Sequence, residues 1–357
     1  MIVVGLAFDF TNGFQDTANY VATWVGTRAL SPRPAVAVSA AANLAGAFVT
    51  TSVAKTIGSG LVDTHLATGQ TVLAALLGAV AWNLTCWRLG LPSSSTHALV
   101  GGLVGAALVR FGTRGVVWHG LWTKVVIPAA ISPVVGFAGA FVLLLVIYKV
   151  FFGLAPGPAN RGFRLGQLLS GTWVAFAHGA NDAQKTMGVI ALALFTHGSI
   201  SHFYIPTWVK VAAGLTIAAG TYAGGWRVIR TLGQRIYKMQ PEHGFSAQVA
   251  AGTTLYIGTH FGFPISTTHA VTGSVMGAGA TRRLSAVRWG VAGNIIVAWV
   301  MTIPAAAAIG AIVYGVTRIF GASSAVGPVL VSVLILAGIT ALFFKRAQGG
   351  GGLEATA

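Results

Sequence analysis

The sequence predicts an all-α integral membrane protein, polytopic, with about 10–12 transmembrane helices in two repeats that carry broken helices or re-entrant segments. Three observations predict it. Charged residues make up 8% of the 357 positions and hydrophobic ones 55%, where a soluble domain carries roughly 25% charged residues. That leaves too few charges to cover a water-facing surface, whereas lipid-facing helices need none. Long apolar stretches recur along the chain, and one polar motif occurs twice.

A spanning helix needs about 20 mostly apolar residues. The candidate segments are 1–25, 35–57, 68–88, 93–110, 121–151, 166–196, 206–232, 246–261, 265–281, 288–318 and 325–344. Several are long enough to tilt or to hold a break. The Gly- and Pro-rich stretch 153–165 reads as a loop. It divides a first repeat, 1–152, from a second, 166–345. Residues 233–245, with Arg235, Lys238, Glu242 and His243, read as the most polar internal loop, and the Gly-rich end, 346–357, as a disordered tail. The 48 glycines suit close helix packing.

The net charge of +16 does not point to nucleic acid. The basic residues sit in short groups between apolar segments, such as Arg110 with Arg114 and Arg282 to Arg288. Charge at loops and helix ends orients a membrane protein and meets anionic lipid, so lipid is the expected partner and nucleic acid is not. The single Cys86 excludes a disulfide framework within the chain. No cleavable signal peptide is read, because Met1 opens directly into an apolar stretch with no basic segment before it. So abrupt a start fits a chain with a few more residues ahead of it. The expected location is the plasma membrane, the inner membrane of a bacterium.

The duplicated motif is the most informative feature. Gly90-Leu91-Pro92-Ser93-Ser94-Ser95-Thr96-His97-Ala98 is matched in register by Gly262-Phe263-Pro264-Ile265-Ser266-Thr267-Thr268-His269-Ala270, an offset of 172 (269 minus 97). The match continues through Gly101 and Gly105 to Gly273 and Gly277. Upstream, Gly13-Phe14-Gln15-Asp16-Thr17-Ala18-Asn19 faces Gly179-Ala180-Asn181-Asp182-Ala183-Gln184-Lys185 at an offset of 166 (182 minus 16). A weaker match pairs Lys55-Thr56-Ile57-Gly58 with Arg230-Thr231-Leu232-Gly233. Duplicated halves with polar, Gly/Pro-interrupted apolar segments at corresponding places point to a secondary transporter whose substrate sits between the repeats.

The chain has six acidic residues, and Asp9, Asp16 and Asp182 lie inside apolar segments. A carboxylate there is costly unless it is paired or solvated, and it commonly marks a transport pathway. Asp16 and Asp182 are matched between the halves; Asp9 faces Ala177 and has no counterpart. Lys185, three residues after Asp182, reads either as a structural ion pair or as an anion ligand. Ser93 to Thr96 and Ser266 to Thr268 each follow a proline, a helix-start signature. Free N–H groups and hydroxyls there suit a tetrahedral oxyanion; the bland reading is ordinary capping. His97 and His269 read first as packed residues and second as a proton relay. Two carboxylates repel an anion unless a cation or proton lies between them, which is the logic of a symporter. A carboxylate also prefers protonated phosphate, which can donate to it, over fully ionised sulfate, which cannot.

Residues 179–188 (Gly-Ala-Asn-Asp-Ala-Gln-Lys-Thr-Met-Gly) resemble the signature of the inorganic phosphate transporter (PiT) family. Residues 8–19 resemble its N-terminal counterpart, and 92–97 and 264–269 its paired helix starts. Residues 282–290 are also typical, and the resemblance runs from about residue 5 to 345. It implies inverted repeats and phosphate symport with sodium or protons, with no cofactor. It implies substrate ligands at Asp16, Asn19, Ser94, Ser95, Asn181, Asp182, Gln184, Ser266 and Thr267, to which the chemistry of the residues adds Thr96, Lys185 and Thr268. Cation coupling would fall to Asp16, Asp182, Asn12 and Asn181, with sodium at Asp16 and Asp182 and no structural metal. Two departures stand out: the first run reads Ser-Ser-Ser-Thr where the family has Ser-Thr-Thr, and Gln15 stands where His is common. The alternative within transport is a sulfate or other oxyanion permease, and a homodimer is left open. An intramembrane serine hydrolase is disfavoured, since the Ser-Thr-His run is duplicated while such chemistry needs one asymmetric constellation. No enzyme activity is expected. Asp16→Asn and Asp182→Asn are each expected to abolish coupled uptake with expression intact.

Overall fold

The computed structural model describes residues 1–64, 66–153, 155–224 and 239–320, and, beyond them, 326–327, 329–334, 337–338 and 341. Among these the ordered elements are helices; the one β contact is an isolated antiparallel bridge between Val62 and Val116. The first half supplies α1 (Ile2–Thr27), α2 (Pro32–Gly46), α3 (Ser52–Ser59), α4 (Gly69–Leu89), α5 (Ser95–Phe111) and α6 (Trp118–Val150). The second supplies α7 (Pro156–Thr196), α8 (Thr207–Ala223), α9 (Pro241–His260), α10 (Thr267–Ala280) and α11 (Trp289–Ile319).

Local chemistry sets the ends. Thr68 caps α4 by accepting from the Thr71 amide, and Gly90 closes it in the left-handed region at φ 69°. Ser94 and Ser266 cap α5 and α10, accepting from the His97 and His269 amides at 3.2 and 3.4 Å. Prolines open α2, α7 and α9, where a missing N–H costs nothing.

Three expectations change, the first being that Glu242 and His243, read as part of a polar loop, lie in the first turn of α9. The segment 35–57 is two helices, α2 and α3, joined by residues 47–51. The stretch 153–165 is helical from Pro156 onward, where α7 begins its run of 41 residues. Its prolines, Pro156 and Pro158, fall in the first turn, whose amides have no intrahelical acceptor anyway. Residues 225–238, the Arg230–Gly233 match and the tail 346–357 lie outside the described residues, as does part of 325–344.

Among the described residues, α4, α6 and α11 are long and apolar enough to cross a membrane by length and composition. Only about a third of α6 and of α11 is buried (28% and 33% of their apolar windows), against 72% for α4. The first two therefore form the outer flanks.

The two halves are interleaved. α6 of the first half packs on α9 and α10 of the second, and α11 of the second packs on α4 and α5 of the first. Likewise α1 packs on α8, and α7 on α2. Each contact has its counterpart under exchange of the repeats. The duplicated glycines make the closest crossings. A Cβ on Gly105 would strike the Ala307 carbonyl of α11, and one on Gly277 the Phe137 carbonyl of α6. Small residues four apart let helix backbones touch in this way.

Apolar side chains form two large clusters. On α1, Phe8 belongs to one and Phe14 and Ala18 to the other; on α7, Val189, Leu192 and Ala193 join Phe8, and Val174, Ala175 and Ala177 join Phe14. The polar residues of both helices fall at the seam between them.

Candidate functional site

The seam holds a buried polar cluster in which the four duplicated motifs meet. Asp16 and Asp182 are 3% and 0% exposed. Asp16 Oδ1 accepts from Asn19 Nδ2 at 3.1 Å and from Thr268 Oγ1 at 3.3 Å. Asp182 Oδ1 accepts from Thr267 Oγ1 at 3.3 Å, and its Oδ2 from Asn12 Nδ2 at 3.2 Å. Ser95 Oγ bridges the two carboxylates, 3.4 Å from Asp16 Oδ2 and 3.5 Å from Asp182 Oδ2. Hydroxyls at both helix starts therefore face both aspartates.

The bonding is reciprocal between the repeats. Thr96 Oγ1 donates to the Ile265 carbonyl at 3.4 Å, and Thr268 Oγ1 donates to the Ser93 carbonyl at 3.1 Å. Each helix start thus clasps the backbone before the other. Asn12, four residues before Asp16, reaches Asp182; His178, four residues before Asp182, lies 3.5 Å from Asp16 through Nε2.

A lysine and a histidine approach the carboxylates among the described residues. Lys185 Nζ is 2.6 Å from Asp182 Oδ2, with both groups fully buried. His178 Nε2 lies between the aspartates, 3.5 Å from Asp16 Oδ2 and 3.4 Å from Asp182 Oδ2. Its Nδ1 is 2.7 Å from Asn43 Oδ1, and Asn43 Nδ2 is committed to Tyr20 and Thr221. Asn43 Oδ1 therefore accepts from Nδ1–H, and Nε2, which makes no hydrogen bond, faces the carboxylates. Asp16, His178 and Asp182 offer ligand atoms within 4.8 Å of one another, compact enough to hold one cation.

Not every expected ligand joins the cluster. Asn12, Asp16, Asn19, Ser95, Asp182, Lys185, Thr267 and Thr268 do. Ser94 and Ser266 cap their helices, and Thr96 holds the opposite helix start. Gln184 Oε1 instead accepts from the Ala54 amide at the start of α3 at 3.1 Å, and Asn181 Nδ2 donates to Thr259 and to the Phe263 carbonyl. Asp9 has no repeat counterpart, yet it accepts from Thr186 across the halves at 2.9 Å. His97 and His269 pack edge to face, ring centroids 4.7 Å apart, with His269 also against Trp299. His178 and its holder Asn43 were missed as site residues. The signal for His178 was present, since it stands 166 positions after Asn12 (178 minus 12) and four before Asp182. Asn43 gave none, because α2 is otherwise an ordinary apolar helix.

A buried polar cluster supplied equally by two interleaved halves of a helical, bilayer-suited body is the site of a membrane transporter. Comparison with known proteins agrees. A sequence model of the "Phosphate transporter family" matches residues 12–310. A "Probable low-affinity inorganic phosphate transporter" of Mycobacterium bovis is 47% identical over 323 residues, 90% of this chain and 78% of that one. A protein of the same description from Rhizobium meliloti is 47% identical over 88% of this chain and 94% of its own length, and one from Bacillus subtilis 41% over 88% and 95%. Among solved structures, one titled "The sodium-dependent phosphate transporter" is similar at a TM-score of 0.83 and 27% identity, covering 89% of this chain and 98% of its own. This chain belongs to the phosphate transporter family. It is a polytopic α-helical membrane protein that transports phosphate, and it is not an enzyme.

Proposed function

We propose that the chain is a cation-coupled phosphate symporter of a bacterial plasma membrane, with one phosphate site shared by the two repeats. The observation that carries this reading is the joint one around Asp16 and Asp182. Carboxylates from both halves meet hydroxyls from both helix starts in one buried cluster. Ser95, Thr267 and Thr268 supply donors for phosphate oxygens, and the exposed first-turn amides of α5 and α10 add the favourable end of each helix dipole. Asn19 and Lys185 flank that space. The aspartates hold the coupling cation, sodium or proton, with Asn12 beside them. Once that charge is present the anion is no longer repelled. An aspartate also accepts the O–H of monohydrogen or dihydrogen phosphate, which favours phosphate over sulfate. Ser94, Thr96, Ser266, Asn181 and Gln184 support the site by fixing the helix starts. The 1–152 and 166–345 repeats, on this reading, each provide one wall.

Uptake of labelled phosphate into proteoliposomes tests this directly. Accumulation against a gradient is expected when sodium or protons are supplied downhill, with little inhibition by equimolar sulfate. Sulfate blocking at equal concentration, or only downhill flux, would reject the assignment.

A further inference from the structure

The two halves of the cluster differ in charge. Three residues after Asp16 stands Asn19, a neutral amide 3.1 Å from the carboxylate. Three residues after Asp182 stands Lys185, whose ammonium is 2.6 Å from the carboxylate and wholly buried. A buried lysine must be paired or ligated to stay charged, and here the partner is Asp182. Resting on the symport reading, we propose that Lys185 is a tethered cation: it occupies the second-half position where a free monovalent ion would bind, so that only the Asp16 half takes an exchangeable one.

Three observations support this. The Asp16 side keeps an oxygen in reserve: Asn19 Oδ1 is buried and makes no hydrogen bond. Beside the Asp16 carboxylate it offers the kind of oxygen ligand that a hard cation prefers. In the second half the corresponding place beside Asp182 is filled by Nζ. The charge balance then closes locally. Asp182 and Lys185 neutralise each other permanently, while Asp16 faces the neutral Asn19 and the His178 ring. Lys185 is also held more tightly than the hydroxyls: its ammonium is 2.6 Å from Asp182, whereas Ser95, Thr267 and Thr268 approach the aspartates at 3.3–3.5 Å.

The decisive substitution is Lys185→Asn, which gives the second half the residue that the first half carries. Phosphate uptake is measured in proteoliposomes as sodium replaces choline at fixed pH, alongside sodium-induced thermal stabilisation of the purified protein without phosphate. The Hill slope for sodium is expected to rise by about one, since the slope reports up to the number of coupled sites. A saturable sodium-dependent rise in melting temperature, larger than the parent's, should accompany it. Lys185→Arg, which keeps the charge, should keep the parent's Hill slope for sodium and its sodium-induced stabilisation, whatever its uptake rate. An unchanged slope and unchanged stabilisation in Lys185→Asn would overturn the proposal. So would loss of phosphate binding with the cation requirement unaltered, which would make Lys185 an anion ligand. If Lys185→Asn does not fold, Asn19→Lys decides: it should lower the parent's cation requirement by one ion, and no change refutes the idea. A parent that moves no phosphate would defeat the symport reading instead, and the stabilisation measurement would still judge the tethered cation.

Discussion

At the residue scale, the two matched aspartates are not equivalent in what their removal leaves behind. Asp16 is surrounded by amide, hydroxyl and imidazole groups, and an asparagine there still has hydrogen-bond partners. Asp182 is the direct ion-pair partner of a buried ammonium. Breaking a buried pair by removing one member costs about 3–5 kcal/mol. The sequence suggested that both Asp→Asn variants would leave the protein intact; the Lys185 contact changes that for one of them. Uptake should be lost in both, but Asp182→Asn should melt well below the parent in detergent while Asp16→Asn stays close to it. Adding Lys185→Met to Asp182→Asn should restore most of the lost melting temperature without restoring uptake. Equal melting of the two single variants would show that the Lys185–Asp182 pair contributes nothing to stability.

At the scale of elements, glycine does different work at different crossings. Gly105 and Gly277 stand where α5 meets α11 and α10 meets α6, backbone against backbone. Gly293 and Gly315 of α11 have nothing within 4 Å of where a Cβ would sit. Gly105→Ala or Gly277→Ala should therefore destabilise by about 1–3 kcal/mol, the range for overpacking. Gly315→Ala should be neutral or should gain up to about 1 kcal/mol of helix propensity. Thermal melts of the three purified variants check the order. This difference was half legible in the sequence. The spacing Gly101/Gly105 and Gly273/Gly277 marked the crossings, but not which helices arrive there. The same holds elsewhere. Apolar length announced α4, α6 and α11, and Pro followed by Ser/Thr announced the starts of α5 and α10. The break between α2 and α3 was hidden, since the run around Phe48 is apolar enough to pass for a continuous span, and Gln184, expected to bind substrate, turns out to cap α3. Such roles depend on which helix lies alongside, and no local pattern encodes that.

At the scale of the whole molecule, the repeats are legible as sequence halves yet not separable as bodies. The outer helix of each half packs largely against the other half: α6 on α9 and α10, α11 on α4 and α5. The first half alone, residues 1–152, should therefore aggregate or be degraded when expressed by itself. Co-expression with the remainder, split at the short connection before Pro156, should recover a complex that co-purifies and transports phosphate. A monodisperse, protease-resistant first half would contradict the interleaving. The arrangement also bears on how the protein is made. α6 ends at Val150, and α10, on which it rests, begins at Thr267, 117 residues later (267 minus 150). At about 5–20 residues per second, a ribosome leaves α6 without that neighbour for roughly 6–23 seconds. During that interval lipid or the insertion machinery must stand in for the missing helix, so the assembly of this transporter is paced by translation of its second half.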